Sequence, residues 1–162
     1  MAPGARLIGD VEIGPEASIW YNCVLRGDVN RIRVGARTNI QDGSVIHVDS
    51  PKAGLPEGHP TLIGEEVLIG HLAMVHGCIL EDRAFVGLGS IVMDGCVIES
   101  GAMLAAGALL TPGKRIPAGQ LWAGRPAKFI RELTPEELDG QRAGVAHYVE
   151  LARAHREALR AG

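Results

Sequence analysis

Aliphatic residues recur every six positions along most of this chain, and few folds can carry that period. They fall at Leu7, Ile13, Ile19 and Leu25, then at Val34, Ile40 and Ile46, then at Ile63, Ile69 and Val75. After a one-residue deletion they resume at Leu80, Val86, Val92, Ile98, Leu104, Leu110 and Ile116. A period of six matches neither the 3.6 of an amphipathic helix nor the two of an alternating strand. It matches a solenoid of short strands and turns, with the aliphatic rungs stacked inward. A second track lies four residues after each rung: Val11, Ala17, Cys23, Val29, Thr38, Ser44, Val67, Ala73, Ile79, Ala84, Ser90, Cys96, Ala102 and Ala108. Most of these are small, as a tight corner requires. Glycine directly follows the rung at Gly14, Gly35, Gly64, Gly70 and Gly87, where a turn needs freedom in φ. With 22 glycines and 4% aromatics in 162 residues, the core must be built from small and branched aliphatics rather than from the aromatic filling of many sandwiches and bundles.

The ladder is interrupted twice. Leu25 and Val34 are nine apart, which leaves three extra residues within Gly-Asp-Val-Asn-Arg-Ile-Arg, and Ile46 to Ile63 leaves about eleven more. Insertions in a solenoid leave the core as loops on one side, where function concentrates. Beyond Trp122 the ladder ends, and Gly-Arg-Pro-Ala-Lys at 124–128 marks a change of structure. Thr134 as N-cap, Pro135 at the first helical position and Glu137 closing a capping box predict a helix over 134–160. Its apolar face, formed by Leu138, Val145, Tyr148 or Val149, Ala152 and Leu159, should pack along the outside of the solenoid, with Gly140 and Gly144 as weak points.

A formal charge of −3, with basic residues dispersed except toward the C-terminus, offers no stripe for nucleic acid. No segment reaches the roughly 18 apolar residues of a membrane span, and the first residues lack a basic and apolar leader pattern. The expectation is a soluble, cytoplasmic protein. Cys23, Cys78 and Cys96 are too far apart for a paired metal motif and read as buried small residues.

A ladder needs no histidine, so the histidines on this one ask for a chemical reason. Arg26, His47 and His76 each stand one residue after a rung (Leu25, Ile46, Val75), and therefore project from the same edge of successive coils. Adjacent parallel strands lie about 4.8 Å apart, close enough for the imidazoles of His47 and His76 to meet on one metal ion. His71 stands two residues after Ile69 and faces another side of the coil. A neighbouring subunit presenting its own His71 would complete the site, and a head-to-tail contact of that kind closes as a C3 homotrimer. His59, His147 and His155 lie outside this phase and are expected in solvent. Tyr148 on the terminal helix can reach over the site or simply pack.

The ladder over residues 7–127 resembles the hexapeptide-repeat proteins. That resemblance implies a mainly β fold, a left-handed parallel β-helix of triangular section with a C-terminal α-helix on its outside, in a single domain spanning 1–162. Leu-Arg-Gly-Asp at 25–28, Asn-Ile-Gln-Asp at 39–42 with Ser44 and His47, and Gly-His-x4-His at 70–76 are similar to the signature of the γ-class carbonic anhydrases. The resemblance implies metal-dependent, reversible hydration of carbon dioxide to bicarbonate by a metal-bound hydroxide at subunit interfaces. His47, His71 and His76 would hold zinc, or else iron or cobalt. Gln41 would hydrogen-bond the bound water, Asp42 would orient it or bicarbonate, and Asn39 would position Gln41. Arg26 and Asp28 would form an ion pair ordering the site, with Arg26 contacting bicarbonate. The insertion after His47, which holds Asp49, Glu57 and His59, departs from the branch that carries an acidic loop with a proton-shuttling glutamate. An acyl-CoA thioesterase or hexapeptide acyltransferase would share the ladder, and a non-catalytic assembly protein would share the whole pattern; the three-histidine set favours the anhydrase.

Overall fold

The computed structural model describes residues 1–161, and it is the parallel β-solenoid that the six-residue period implies. One face of the triangular coil stacks the first half of the long strand Val24–Val34, then Val45–His47, Met74–His76, Ile91–Val92 and Leu109–Leu110. The second face stacks the other half of Val24–Val34 with Thr61–Ile63, Ile79–Leu80, Val97–Ile98 and Arg115–Ile116. The third face stacks Ser18–Ile19, Asn39–Ile40, Leu68–Ile69, Phe85–Val86, Met103–Leu104 and Gln120–Gly124, six parallel strands and so six coils. It ends in the antiparallel strand Ala127–Glu132. Val24–Val34 turns a corner and joins the first two faces into one sheet, and the first strand, Arg6–Ile13, runs beside it.

The rungs form the core. Leu25, Ile40, Ile46, Ile69, Val75, Val86, Val92, Ile98, Leu104, Leu110 and Ile116 are all fully buried. Leu7 belongs to the same phase but lies in the first coil, where no further coil covers it, and it stays exposed. Most of the small track is buried as well, and its hydroxyls are hydrogen-bonded to neighbouring corners. Thr38 Oγ1 donates to Gly64 O at 2.7 Å, Ser44 Oγ to Gly70 O at 2.9 Å and Ser90 Oγ to Ala105 O at 2.8 Å. A buried hydroxyl is tolerated there because the corner carbonyls lack strand partners.

Two members of that track are misplaced by counting along the chain. Val29 is 47% exposed and Ile79 is 41% exposed, whereas Ile32 and Cys78 fill the corresponding corners. The reason is local. Gly9 pairs with Gly27 and Val11 with Ile32, so Asp10 faces four residues, 28–31, and the three-residue insertion becomes a bend within a continuous strand. Past Val75 the deletion moves the corner residue one position earlier. The glycines also act differently from the expectation. Left-handed backbone occurs at the third residue after most rungs, as at Arg37, Glu66, Leu72 and Arg83 (φ 58–60°) and at Gly89, Gly95 and Gly101, and at the second after Leu7 and Val75, at Gly9 and Gly77. Gly35 and Gly87, directly after their rungs, serve close approach: a Cβ on Gly35 would stand 2.4 Å from the Gly64 carbonyl, and one on Gly87 2.3 Å from Ala106 N.

The terminal helix, Pro135–Ala161, lies against Ser18–Ile19, Asn39–Ile40 and Leu68–Ile69 of the third face. Val145 and Val149 are buried, and Tyr148 meets Trp20 edge-on at 5.8 Å. Leu159, counted in the apolar face, is 47% exposed, because the packed stripe ends near Ala152 and His155. Gly144 suits its place: a Cβ there would stand 3.2 Å from Leu68 Cδ1. Among the described residues no helix is long and apolar enough to cross a membrane.

The helix start is reciprocally capped. Glu137 N–H donates to Thr134 Oγ1 at 3.2 Å, and Thr134 N–H donates to Glu137 Oε2 at 2.9 Å. Both terminal nitrogens of Arg131 donate to the same carboxylate, at 2.7 and 2.8 Å. The Arg131 guanidinium, with the Thr134 amide second, holds the Glu137 carboxyl down at about 2 against an ordinary 4.5. Because folding lowers this pKa, the stabilisation is complete above the ordinary glutamate range and is lost as pH falls from about 4.5 to about 2. Glu137→Gln should therefore be less stable than wild type near neutral pH, and the gap should close across that acid window. Urea titrations followed by circular dichroism at several pH values measure it.

Candidate metal centre

Two corners of the coil carry the polar residues singled out by phase. At the corner between the first and second faces, Leu25, Ile46 and Val75 are laterally paired rungs, and His47 pairs directly with His76. Arg26, His47 and His76 therefore leave their strands at the same point and project outward. The two imidazole rings lie 5.0 Å apart at 63°.

Each ring is held by a carboxylate. His47 Nε2 lies 2.9 Å from Asp28 Oδ1, and His76 Nδ1 lies 2.5 Å from Asp94 Oδ1. Arg26 donates to the other oxygen of Asp28. The His47 hydrogen bond, followed by that of Arg26, lowers the Asp28 carboxyl to about 2. An ionised carboxylate only accepts hydrogen bonds, so His47 Nε2 and His76 Nδ1 must carry the protons. Their remaining nitrogens, His47 Nδ1 and His76 Nε2, then present lone pairs, and these face each other at 3.0 Å. Two lone pairs at that distance repel each other unless they share a metal ion or one added proton. Two nitrogens bound at about 2.0–2.1 Å to one ion stand roughly 2.9–3.4 Å apart for angles between square and tetrahedral. The donor set fits a divalent metal.

The other corner, between the third and first faces, holds Gln41, Asp42 and His71. His71 Nδ1 lies 2.9 Å from Asp42 Oδ2, and Gln41 is buried beside them in the chain. The His71 side chain is 48% exposed against 17% for His47. Large apolar residues adjoin it: Leu72 is 72% exposed, Leu88 59% and Met74 39%. His71 and His76 thus stand at opposite ends of one face. Within one chain no three His, Cys, Asp or Glu side chains converge to hold a metal among the described residues.

Gln41 and Asp42 share a coil with His47 but not its corner; they accompany His71. Asn39 does not reach toward Gln41: its amide donates to Ser18 Oγ at 2.8 Å beneath the terminal helix, because Asn39 leaves the strand two residues and one corner earlier. Tyr148 packs on Trp20. Burial, with the negative charge of Asp42 second, raises its phenol above the ordinary range, so it stays protonated near the His71 corner.

The insertion after His47 folds as a narrow hairpin. Asp49 and His59 exchange backbone hydrogen bonds at 2.9 and 3.1 Å, and Asn30 Nδ2 ties both arms to the first insertion through Asp49 O and Glu57 O at 3.0 and 2.8 Å. His59 and His155, expected in solvent, are half-buried. His59 lies over the turns at Gly77 and Gly95, and His155 Nδ1 hydrogen-bonds Tyr21 Oη at 3.0 Å. Asp94 is absent from the residues singled out by sequence. Its signal is the phase: Val92 pairs with Val75, which brings the segment just after Val92 beside His76.

No protein-family model matches the chain. It is 51% identical over 156 residues to a protein of Arabidopsis thaliana described as gamma carbonic anhydrase 1, mitochondrial, covering 96% of this chain and 56% of that one. The chain thus spans a little over half the length of its first plant relatives. It is 50% identical over 152 residues to a probable carbonic anhydrase of Methanocaldococcus jannaschii, covering 94% of this chain and 91% of that one. Among solved structures, a hexapeptide transferase family protein from Anaplasma phagocytophilum superposes with a TM-score of 0.86 at 53% identity, over 93% of this chain and 85% of that one.

Proposed function

This chain belongs to the γ-class carbonic anhydrase family, and on that premise we propose that it catalyses the reversible hydration of carbon dioxide to bicarbonate at a metal ion shared between subunits of a homotrimer. The observation that carries the reading is the pair of imidazole nitrogens, His47 Nδ1 and His76 Nε2, facing each other at 3.0 Å while the other nitrogen of each ring is held by a carboxylate. Zinc is the proposed ion, with iron or cobalt as alternatives. His47 and His76 would hold it from one subunit and His71 from the next. When bound, such an ion acts as a Lewis acid that makes water a nucleophile near neutral pH, a general property of which carbonic anhydrase is itself the standard illustration.

The remaining residues bind and orient. Asp28 and Asp94 hold the imidazoles of His47 and His76 through their outer nitrogens, and Asp42 does the same for His71. Gln41, on the His71 corner, would approach the metal from the same neighbouring subunit and hydrogen-bond the water or bicarbonate. Arg26 keeps a guanidinium, 43% exposed, at the His47 corner, where it would attract bicarbonate while its partner Asp28 is committed to His47. Tyr148 forms a wall under the His71 corner rather than a donor at the metal. Three free, buried cysteines suit a reducing compartment, the cytoplasm in this reading.

Exposed Leu72, Leu88 and Met74 around His71 support an interface at that corner, since apolar side chains grouped on a surface mark association. Leu72→Glu should shift the trimer to monomer at micromolar concentration and release the metal, without unfolding the coil. Light scattering coupled to elemental analysis measures both.

Acyl transfer or thioester hydrolysis is the second reading, because the matched solved structure from Anaplasma phagocytophilum is described as a transferase. The deciding experiment loads the protein with zinc and separately with iron, then measures carbon dioxide hydration by stopped flow beside acyl-CoA hydrolysis. Close to one metal per chain with hydration activity is expected. A folded, metal-free protein that cleaves acyl-CoA would replace the anhydrase reading.

A further inference from the structure

We propose that Asp94 is the positioning residue for His76, holding its ring so that Nε2, and not Nδ1, is the metal-donor nitrogen; this rests on the metal site proposed above. The three histidines of that site each face one carboxylate of their own chain: Asp28 for His47, Asp42 for His71 and Asp94 for His76. Asp28 and Asp42 lie in the segments whose sequence marks the site. Asp94 comes from the coil beyond, and among the described residues its sole ion-pair partner is His76.

The local structure is arranged around this contact. Asp94 leaves the corner just after Ile91–Val92, and two backbone hydrogen bonds set that corner's height: Gly95 N–H to Gly77 O at 2.8 Å and Gly113 N–H to Asp94 O at 2.9 Å. The carboxylate folds back over the preceding coil into space left by Gly77. A Cβ at Gly77 would stand 2.4 Å from Asp94 Oδ1, so a side chain there would push the carboxylate off His76. His59 closes the outside: its own Cβ would lie 2.9 Å from a Cβ at Gly77, and its ring lies over Gly95. The hairpin bearing His59 therefore covers the turns that carry the His76–Asp94 pair.

The chemistry follows from the proton. A carboxylate accepts from His76 Nδ1–H, which confines the lone pair to Nε2, the nitrogen aimed at His47. The negative charge also makes the imidazole a better donor to a cation. Loss of such an outer partner ordinarily weakens metal binding by about 10–100-fold.

The test uses the zinc-loaded protein in competition with a chelator at fixed pH. Asp94→Asn should bind zinc about 10–100-fold more weakly, with the urea midpoint of the metal-free protein unchanged. Asp94→Glu should recover part of the loss. Zinc-loaded wild type should also show a downfield, slowly exchanging His76 Nδ1–H resonance that Asp94→Asn loses. Equal zinc affinity in wild type and Asp94→Asn overturns the proposal. So does wild-type protein whose His76 binds zinc through Nδ1, a result that needs no variant. Folded wild type that binds no zinc at all defeats instead the metal-site reading on which the proposal stands.

Discussion

His71→Ala and His76→Ala subunits are each expected to lose carbon dioxide hydration by at least about a thousand-fold, and an equal mixture of the two to regain about one quarter of wild-type activity. The loss follows from removing a ligand of an ion worth several kcal/mol to the reaction. The recovery follows from geometry. His71 lies at one end of the first face and His76 at the other, and no third ligand converges on His47 and His76 within the described chain. If each interface takes His47 and His76 from one subunit and His71 from the next, an interface is intact whenever the first is a His71→Ala chain and the second a His76→Ala chain. In randomly reassembled trimers about one interface in four meets that condition. Unfolding and refolding the mixture, then measuring hydration by stopped flow and metal by elemental analysis, gives the answer. Absence of any recovery, with both parents folded and trimeric, would mean that one chain supplies the whole site.

Leu104→Ala is expected to cost about 2–5 kcal/mol, the largest stability effect of a single truncation away from the site. Leu104 is fully buried, paired laterally with Val86 on one side and Trp122 on the other. Its neighbours cannot collapse into the void, because the backbones above and below are held by Gly87 N–H to Leu104 O and Ala105 N–H to Trp122 O, both at 2.8 Å. In a solenoid each coil touches only its neighbours, so the loss should fall on the C-terminal coils first. The urea midpoint should drop while metal bound per folded chain stays unchanged. Leu159→Ala, at a position 47% exposed, should shift stability by less than about 0.5 kcal/mol. A comparable loss in both variants would contradict the stacked-core account.

Much of the fold is legible because each rung repeats the same local instruction. Leu25, Ile46 and Val75 are inward in sequence phase and inward in space, and Thr134 with Glu137 marks the helix start that the hydrogen bonds realise. Errors arise where the count is interrupted. Counting along the chain assigns Val29 and Ile79 to corners that Ile32 and Cys78 occupy, because an insertion or deletion shifts phase by an amount that only the pairing register reveals. Close backbone approach is likewise invisible at Gly35 and Gly87, since it depends on how tightly the next coil sits.

The candidate site divides along the same line. The amino-acid sequence by itself determined that Arg26, His47 and His76 share an edge and that His71 does not, since side-chain direction in a regular coil is a function of position within the period. Only the tertiary structure decided which carboxylate holds which imidazole and that Asn39 turns to Ser18. Phase brings Asp42 to the corner of His71 and Asp94 to that of His76, but whether their side chains meet is set by the height and register of the stacked backbones.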